Sequence, residues 1–163
     1  MTDHGISNHY HKQKMNNILL FLDFDGVLHP SSGHAHFKED CMSALSSIIT
    51  KHPEIRIVIT SSWREEKTVD ELKVLLGKAM GERVLGVTPV IDEPFMHNVR
   101  YHEVLSYLKR NSLPNASWFA IDDEPGSYPD HAHVILTDRR KGFTEDNGSQ
   151  LDEMVKLVRK VDI

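Results

Sequence analysis

Two periodicities alternate along this chain. Five short apolar runs have strand length and carry many branched side chains: Ile18–Leu22, Ile55–Ile59, Val84–Val87, Trp118–Ile121 and Val134–Leu136. The first is apolar on both faces, the pattern of a central strand buried in a parallel sheet. Between the runs lie segments striped at helical spacing. Phe37 to Thr50 gathers Cys41, Leu45, Ile48 and Ile49 on one face and is stopped by His52-Pro53. Arg64 to Leu76 turns Val69, Leu72 and Leu76 inward and is broken by Gly77 and Gly81. A helix capped by Asn98 and reaching Arg110 has Tyr101, Val104, Leu105 and Leu108 as its stripe. A last helix, Ser149 to Val161, buries Leu151, Met154, Val155 and Val158. Ser31 to His34 reads as a flexible polar stretch, and Thr88 to His97, with Pro89 and Pro94, as loop. Repeated β-α-β units require a parallel sheet with right-handed crossovers, so a three-layer α/β domain with helices on both faces is predicted.

The chemistry sits where the strands end. The first run passes into Asp23-Phe24-Asp25-Gly26. Strand alternation puts Asp23 and Asp25 on one side with Phe24 pointing away, at the carboxyl edge where open α/β sheets bind ligands. Two carboxylates so close repel unless a cation lies between them or one holds a proton. The second run passes into Thr60-Ser61-Ser62-Trp63-Arg64, and the fourth into Asp122-Asp123-Glu124-Pro125. Ser61 or Ser62 serves equally as a helix N-cap, and a helix N-terminus also favours an anion. Arg64 reads either as a clamp on substrate phosphate or as an exposed helix arginine.

Composition narrows the class. The chain has 163 residues, enough for one domain with a real core, and 24 acidic against 19 basic residues. The densest basic run is Arg139-Arg140-Lys141, which argues against a duplex-binding surface. Cys41 is the single cysteine, so no intrachain disulfide forms and a reducing, cytoplasmic setting is expected. No apolar run is long enough to span a bilayer, so no membrane association is expected. Residues 1–17 lack an apolar core and read as a disordered polar tail rather than a signal peptide, ahead of a single domain over 18–163. His4, His9 and His11 in that tail match no metal-ligand spacing.

An apolar strand followed by DxDG resembles the first motif of the haloacid dehalogenase (HAD) superfamily. Thr60 with Ser61 resembles its second motif, and Asp122-Asp123 its fourth. The third, usually a lysine, is matched by Arg100, with His97 as an alternative contact nearby. Leu-Asp-Phe-Asp-Gly-Val-Leu-His-Pro, Ile-Thr-Ser-Ser-Trp-Arg and Gly142-Phe143-Thr144 resemble the small HAD domains of Swiss Army Knife RNA repair proteins.

The resemblance implies a Rossmann-like, HAD-like fold and a phosphohydrolase acting on phosphate esters. Asp23 would be the nucleophile and Asp25 the general acid and base. Mg2+ would sit on Asp23, the backbone carbonyl of Asp25, Asp122 and Asp123, and the phosphoryl group on Thr60, Ser61 and Arg100. The second aspartate favours phosphate chemistry over carbon–halogen cleavage. The intervals Val27–Glu54 and Arg64–Val99 leave no room for a cap domain. An open site suits a bulky phosphate: a nucleotide, a nucleic-acid end or a phosphoprotein. His29, His34 and His36 lie on the adjoining loop, with His29 and Arg64 as candidate substrate contacts. A nucleic-acid end-processing enzyme and a non-catalytic HAD-like binding domain are the alternatives.

Overall fold

The computed structural model describes residues 17–31 and 36–159. The tail with His4, His9 and His11, the polar stretch at Ser32–His34 and the expected end of the last helix at Val161 lie outside the described residues.

Five parallel strands form one sheet: β1 (Ile18–Leu22), β2 (Ile55–Ile59), β3 (Val84–Val87), β4 (Ser117–Asp122) and β5 (Val134–Leu136), in the order β3-β2-β1-β4-β5. β1 is central and buried along its whole length, as its two-sided apolar run requires. The pairing is level at the carboxyl edge. Leu22 lies beside both Ile59 and Ile121, so Asp23, Thr60 and Asp122 are the next residues of three adjacent strands. Asp23 N–H donates to the Ile121 carbonyl and Thr60 N–H to the Leu22 carbonyl, carrying the ladder one step past the strands.

Among the described residues, four helices cover the sheet unequally: α1 (Glu39–Lys51), α2 (Val69–Gly81), α3 (Val99–Arg110) and α4 (Glu145–Arg159). One face packs Leu20, Leu22, Ile57 and Ile121 against Leu45 and Ile49 of α1, Leu72 and Leu76 of α2, and Leu151 and Val155 of α4. The other packs Leu19, Phe21, Val58 and Ala120 against Val104, Tyr107 and Leu108 of α3. This is the three-layer, Rossmann-like α/β architecture, with no cap domain among the described residues. No described helix is long and apolar enough to cross a membrane.

The helix boundaries differ from the sequence reading in ways that matter for the site. The segment expected as one helix from Arg64 splits into a single 3-10 turn, Ser62–Glu65, and α2, which starts at Val69. The reason is a stronger start signal downstream. Thr68 Oγ1 accepts from Glu71 N–H at 3.2 Å while the Glu71 carboxylate accepts from Thr68 N–H at 3.1 Å. The same device moves the start of α4 four residues upstream of Ser149, because Thr144 and Asn147 exchange side-chain and backbone bonds at 2.9 and 3.3 Å. Asn98 is not a side-chain cap. It adopts left-handed backbone (φ 55°), and its amide faces the Gly126 and Tyr128 carbonyls. On α3, Leu105 turns outward while Tyr107 and the charged Glu103 turn inward.

Candidate active site

At the carboxyl edge of β1 and β4, a cavity of about 680 Å³ is lined by Asp23, Asp25, Asp122, Asp123, Arg100 and Glu103, among others. Five residues singled out from sequence therefore line one cavity. The DxDG glycine explains how they come so close. Gly26 has φ 75°, and a Cβ there would stand 2.1 Å from Asp123 Oδ2. Only glycine allows both the left-handed turn and the approach of the fourth-strand carboxylate.

One oxygen each of Asp23, Asp122 and Asp123 lies within 4.8 Å of the others. Asp23 and Asp122 are buried. Burial is the main reason both carboxyls titrate high: Asp23 is pushed up to about 6, although a bond from Phe24 N–H and the charge of Arg100 pull the other way. Asp122 is pushed up to about 8 by burial and then by Asp23. Asp123 is raised as well, again mainly by burial, with Arg139 opposing. Glu124 N–H donates to Asp122 Oδ1 at 2.9 Å, but Asp122 Oδ2 is buried without a hydrogen-bond partner. An orphaned buried carboxylate oxygen beside two more carboxylates is strongly unfavourable as it stands. A hard divalent cation relieves it, and an all-oxygen donor set of this kind suits Mg2+. The residues present fit that ion.

The positive side of the cavity comes from α3. Arg100 Nη1 donates to Glu103 Oε1 at 2.7 Å. Glu103 is 1 % exposed, so this is no surface pair. Its other oxygen accepts from Arg64 Nη2 and from Ile91 N–H. Two guanidiniums thus share one carboxylate, leaving one positive charge uncompensated against the aspartates. Burial works against the Arg100 charge, but Glu103, Asp23 and Asp122 outweigh it and raise its pKa.

Arg64 corrects the reading of a substrate contact. Its side chain is 1 % exposed, and its donors are consumed by Glu103 and the carbonyls of Thr60, Ser61, Thr88 and Pro89. It ties the end of β2 to α3 instead of facing the cavity. The split of the expected helix bears on this, because the 3-10 turn is what lets Arg64 point inward. Ser61 Oγ accepts from Trp63 N–H at 3.3 Å and so caps that turn. Thr60 Oγ1 is buried with no partner. His29 also differs from an exposed contact: it is buried, with Nε2 2.7 Å from Asp25 Oδ1.

Three functional candidates escaped sequence reading. Glu103 is legible in sequence only as a partner for Arg100 three residues before it; its burial and its second guanidinium, Arg64, are not. Trp63, whose Nε1–H donates to Asp25 Oδ1 at 3.2 Å, is separated from it by 38 positions. Tyr128 buries its hydroxyl, unpartnered, near Asp122, and its phenol is pushed well up by that burial. A Glu three residues after Arg100 was the one available signal.

A family model described as "HAD domain in Swiss Army Knife RNA repair proteins" matches residues 19–147. No curated protein matches the chain.

Proposed function

The chain belongs to the family of HAD domains in Swiss Army Knife RNA repair proteins, a family of phosphatase-type hydrolase or RNA-repair character, and from that premise we propose a magnesium-dependent phosphomonoesterase that works through an aspartyl-phosphate. The observation that carries this reading is the convergence of Asp23, Asp122 and Asp123 within 4.8 Å in a cavity that Arg100 also lines.

Asp23 attacks phosphorus while the ester P–O bond breaks, and Asp25 gives its proton to the departing alcohol oxygen. Asp25 then takes a proton from the water that attacks the aspartyl-phosphate, which frees phosphate and restores Asp23. Arg100, the Thr60 hydroxyl and the Ser61 N–H hold phosphoryl oxygens as charge moves between them. Magnesium, held by Asp23, the Asp25 carbonyl, Asp122 and, directly or through water, Asp123, would mask the repulsion between an anionic nucleophile and an anionic ester. Glu103 and Arg64 keep Arg100 and the end of β2 in register. A reducing, cytoplasmic setting fits the single buried thiol of Cys41.

The test is a panel of phosphate esters with and without Mg2+, joined to an acid quench with radiolabelled ester. Label should appear on the wild-type chain and be absent from Asp23→Asn. Full activity in excess EDTA, or turnover by Asp23→Asn, would reject the reading.

The family description favours a narrower second reading, in which the phosphate lies on an RNA end. A cavity with no cap domain over it among the described residues admits such an end. Single-stranded RNA with a terminal phosphate should then be hydrolysed with higher kcat/KM than the matching mononucleotide, and the advantage should shrink as salt rises. A non-catalytic binding domain is disfavoured, because none of the expected carboxylates is missing.

A further inference from the structure

Asp25 stands at the cavity mouth with its side chain 42 % exposed. A carboxylate on such a loop ordinarily samples several rotamers, yet proton transfer needs one hydrogen-bond direction. Here Oδ1 is held from two sides. Trp63 Nε1–H donates to it at 3.2 Å, and His29 Nε2 lies 2.7 Å away.

His29 is itself locked. It is 3 % exposed, and its ring centroid lies 5.6 Å from that of Trp63 and 6.3 Å from that of Phe37. Its Nδ1 is 2.7 Å from the Pro30 carbonyl. A carbonyl oxygen only accepts, so Nδ1 carries a hydrogen and the ring cannot turn over without losing both contacts. The loop sets this register. Gly26 N–H donates to the His29 carbonyl and Leu28 N–H to the Phe24 carbonyl, folding residue 29 back onto residue 25. Thr137 Oγ1 donates to the Gly26 carbonyl at 2.7 Å and pins the turn to the end of β5. No described residue bonds Asp25 Oδ2, which is the oxygen left for the reacting atoms.

We infer that His29, acting with Trp63, is the positioning residue of Asp25. It fixes Oδ1 so that Oδ2 meets the leaving-group oxygen and afterwards the attacking water. The inference rests on the phosphatase reading and gives His29 a role other than substrate contact.

The leaving group separates this role from mere support of the fold. kcat/KM ends at the first irreversible step, loss of the leaving group. A nitrophenolate departs without a proton, whereas a primary alkoxide needs one from Asp25. p-Nitrophenyl phosphate and glycerol phosphate are therefore compared on the wild type and on His29→Phe, His29→Gln and Trp63→Phe.

His29→Phe keeps an aromatic ring against Trp63 but loses the contact to Oδ1. It should lower kcat/KM for the alkyl ester by roughly thirtyfold or more and for the aryl ester by less than about threefold. His29→Gln carries an amide that both donates and accepts, so it should restore part of the alkyl rate. Trp63→Phe should move the ratio in the same direction as His29→Phe. If His29→Phe does not fold, His29→Asn, too short to reach Oδ1, is read in the same way. An unchanged ratio, or equal loss on both esters, overturns the inference while leaving the phosphatase reading standing. A wild type inactive on every ester overturns both.

Discussion

Replacing Asp122 by asparagine should make the metal-free protein more stable and the enzyme inactive. The side chain is 1 % exposed, with Oδ2 buried and unpartnered, and its carboxyl is pushed from an ordinary 3.8 up to about 8, mainly by burial and then by Asp23. A raised carboxyl pKa means that the folded state holds the proton more tightly than the unfolded chain. The associated stability is therefore complete below about pH 4 and is lost as pH rises toward 8. At pH 8 Asp23 is ionised and adds to the cost of ionising Asp122, while water entering the cavity screens part of it, so roughly 2–3 kcal/mol is expected there. For a domain of this size that is a rise of about 5–10 °C in Tm. Asparagine keeps an oxygen for Glu124 N–H and turns an NH2 toward the neighbouring carboxylates. The assay is thermal unfolding of wild type and Asp122→Asn at pH 5 and pH 8, in EDTA and in Mg2+. In EDTA the variant should gain on the wild type from pH 5 to pH 8, while Mg2+ should raise the Tm of the wild type alone. A variant no more stable than wild type at pH 8 in EDTA, or one stabilised equally by Mg2+, would refute the account of the cluster as a cation site.

Asp23→Asn should fold normally and lose turnover by at least about a thousandfold, measured by phosphate release. Arg100→Ala should lower kcat/KM on the order of a hundredfold, with partial recovery in Arg100→Lys; an effect under tenfold would return Arg100 to an ordinary ion pair. Glu103→Gln strands the buried guanidinium of Arg64 and the half-buried one of Arg100 on one neutral amide and should cost about 3 kcal/mol in urea unfolding, along with activity. Gly26→Ala forces a side chain into a φ of 75° and onto Asp123; a loss of about 2 kcal/mol or more is expected, and a neutral result would mean that the turn can move away from β4.

The reading of fold and motifs came from local pattern. Five strands are found where apolar runs stop at polar residues, because burial on both faces needs unbroken apolar sequence and the ligand edge needs the break. Asp23, Asp122 and Asp123 were legible for the same reason: Asp23 follows β1 and the Asp122–Asp123 pair ends β4, and a parallel sheet with level register brings the ends of adjacent strands together. What local pattern could not reach were the partnerships. Arg64 reads from sequence as a phosphate clamp or an exposed helix residue, and it is neither, because the capping box at Thr68 shifts the helix and leaves a 3-10 turn that aims it inward. The pairing of Glu103 with Arg100 is local, but its burial follows from a second guanidinium, Arg64, arriving from the end of β2. The bond between His29 and Asp25 is local in sequence, but the buried ring stack that holds it uses Trp63 from the far side of β2. Apolar periodicity is set by burial, which each residue feels independently, and so it is written along the chain. Hydrogen bonds and ion pairs depend on the direction and distance of two groups at once, and only the packed tertiary structure decides those.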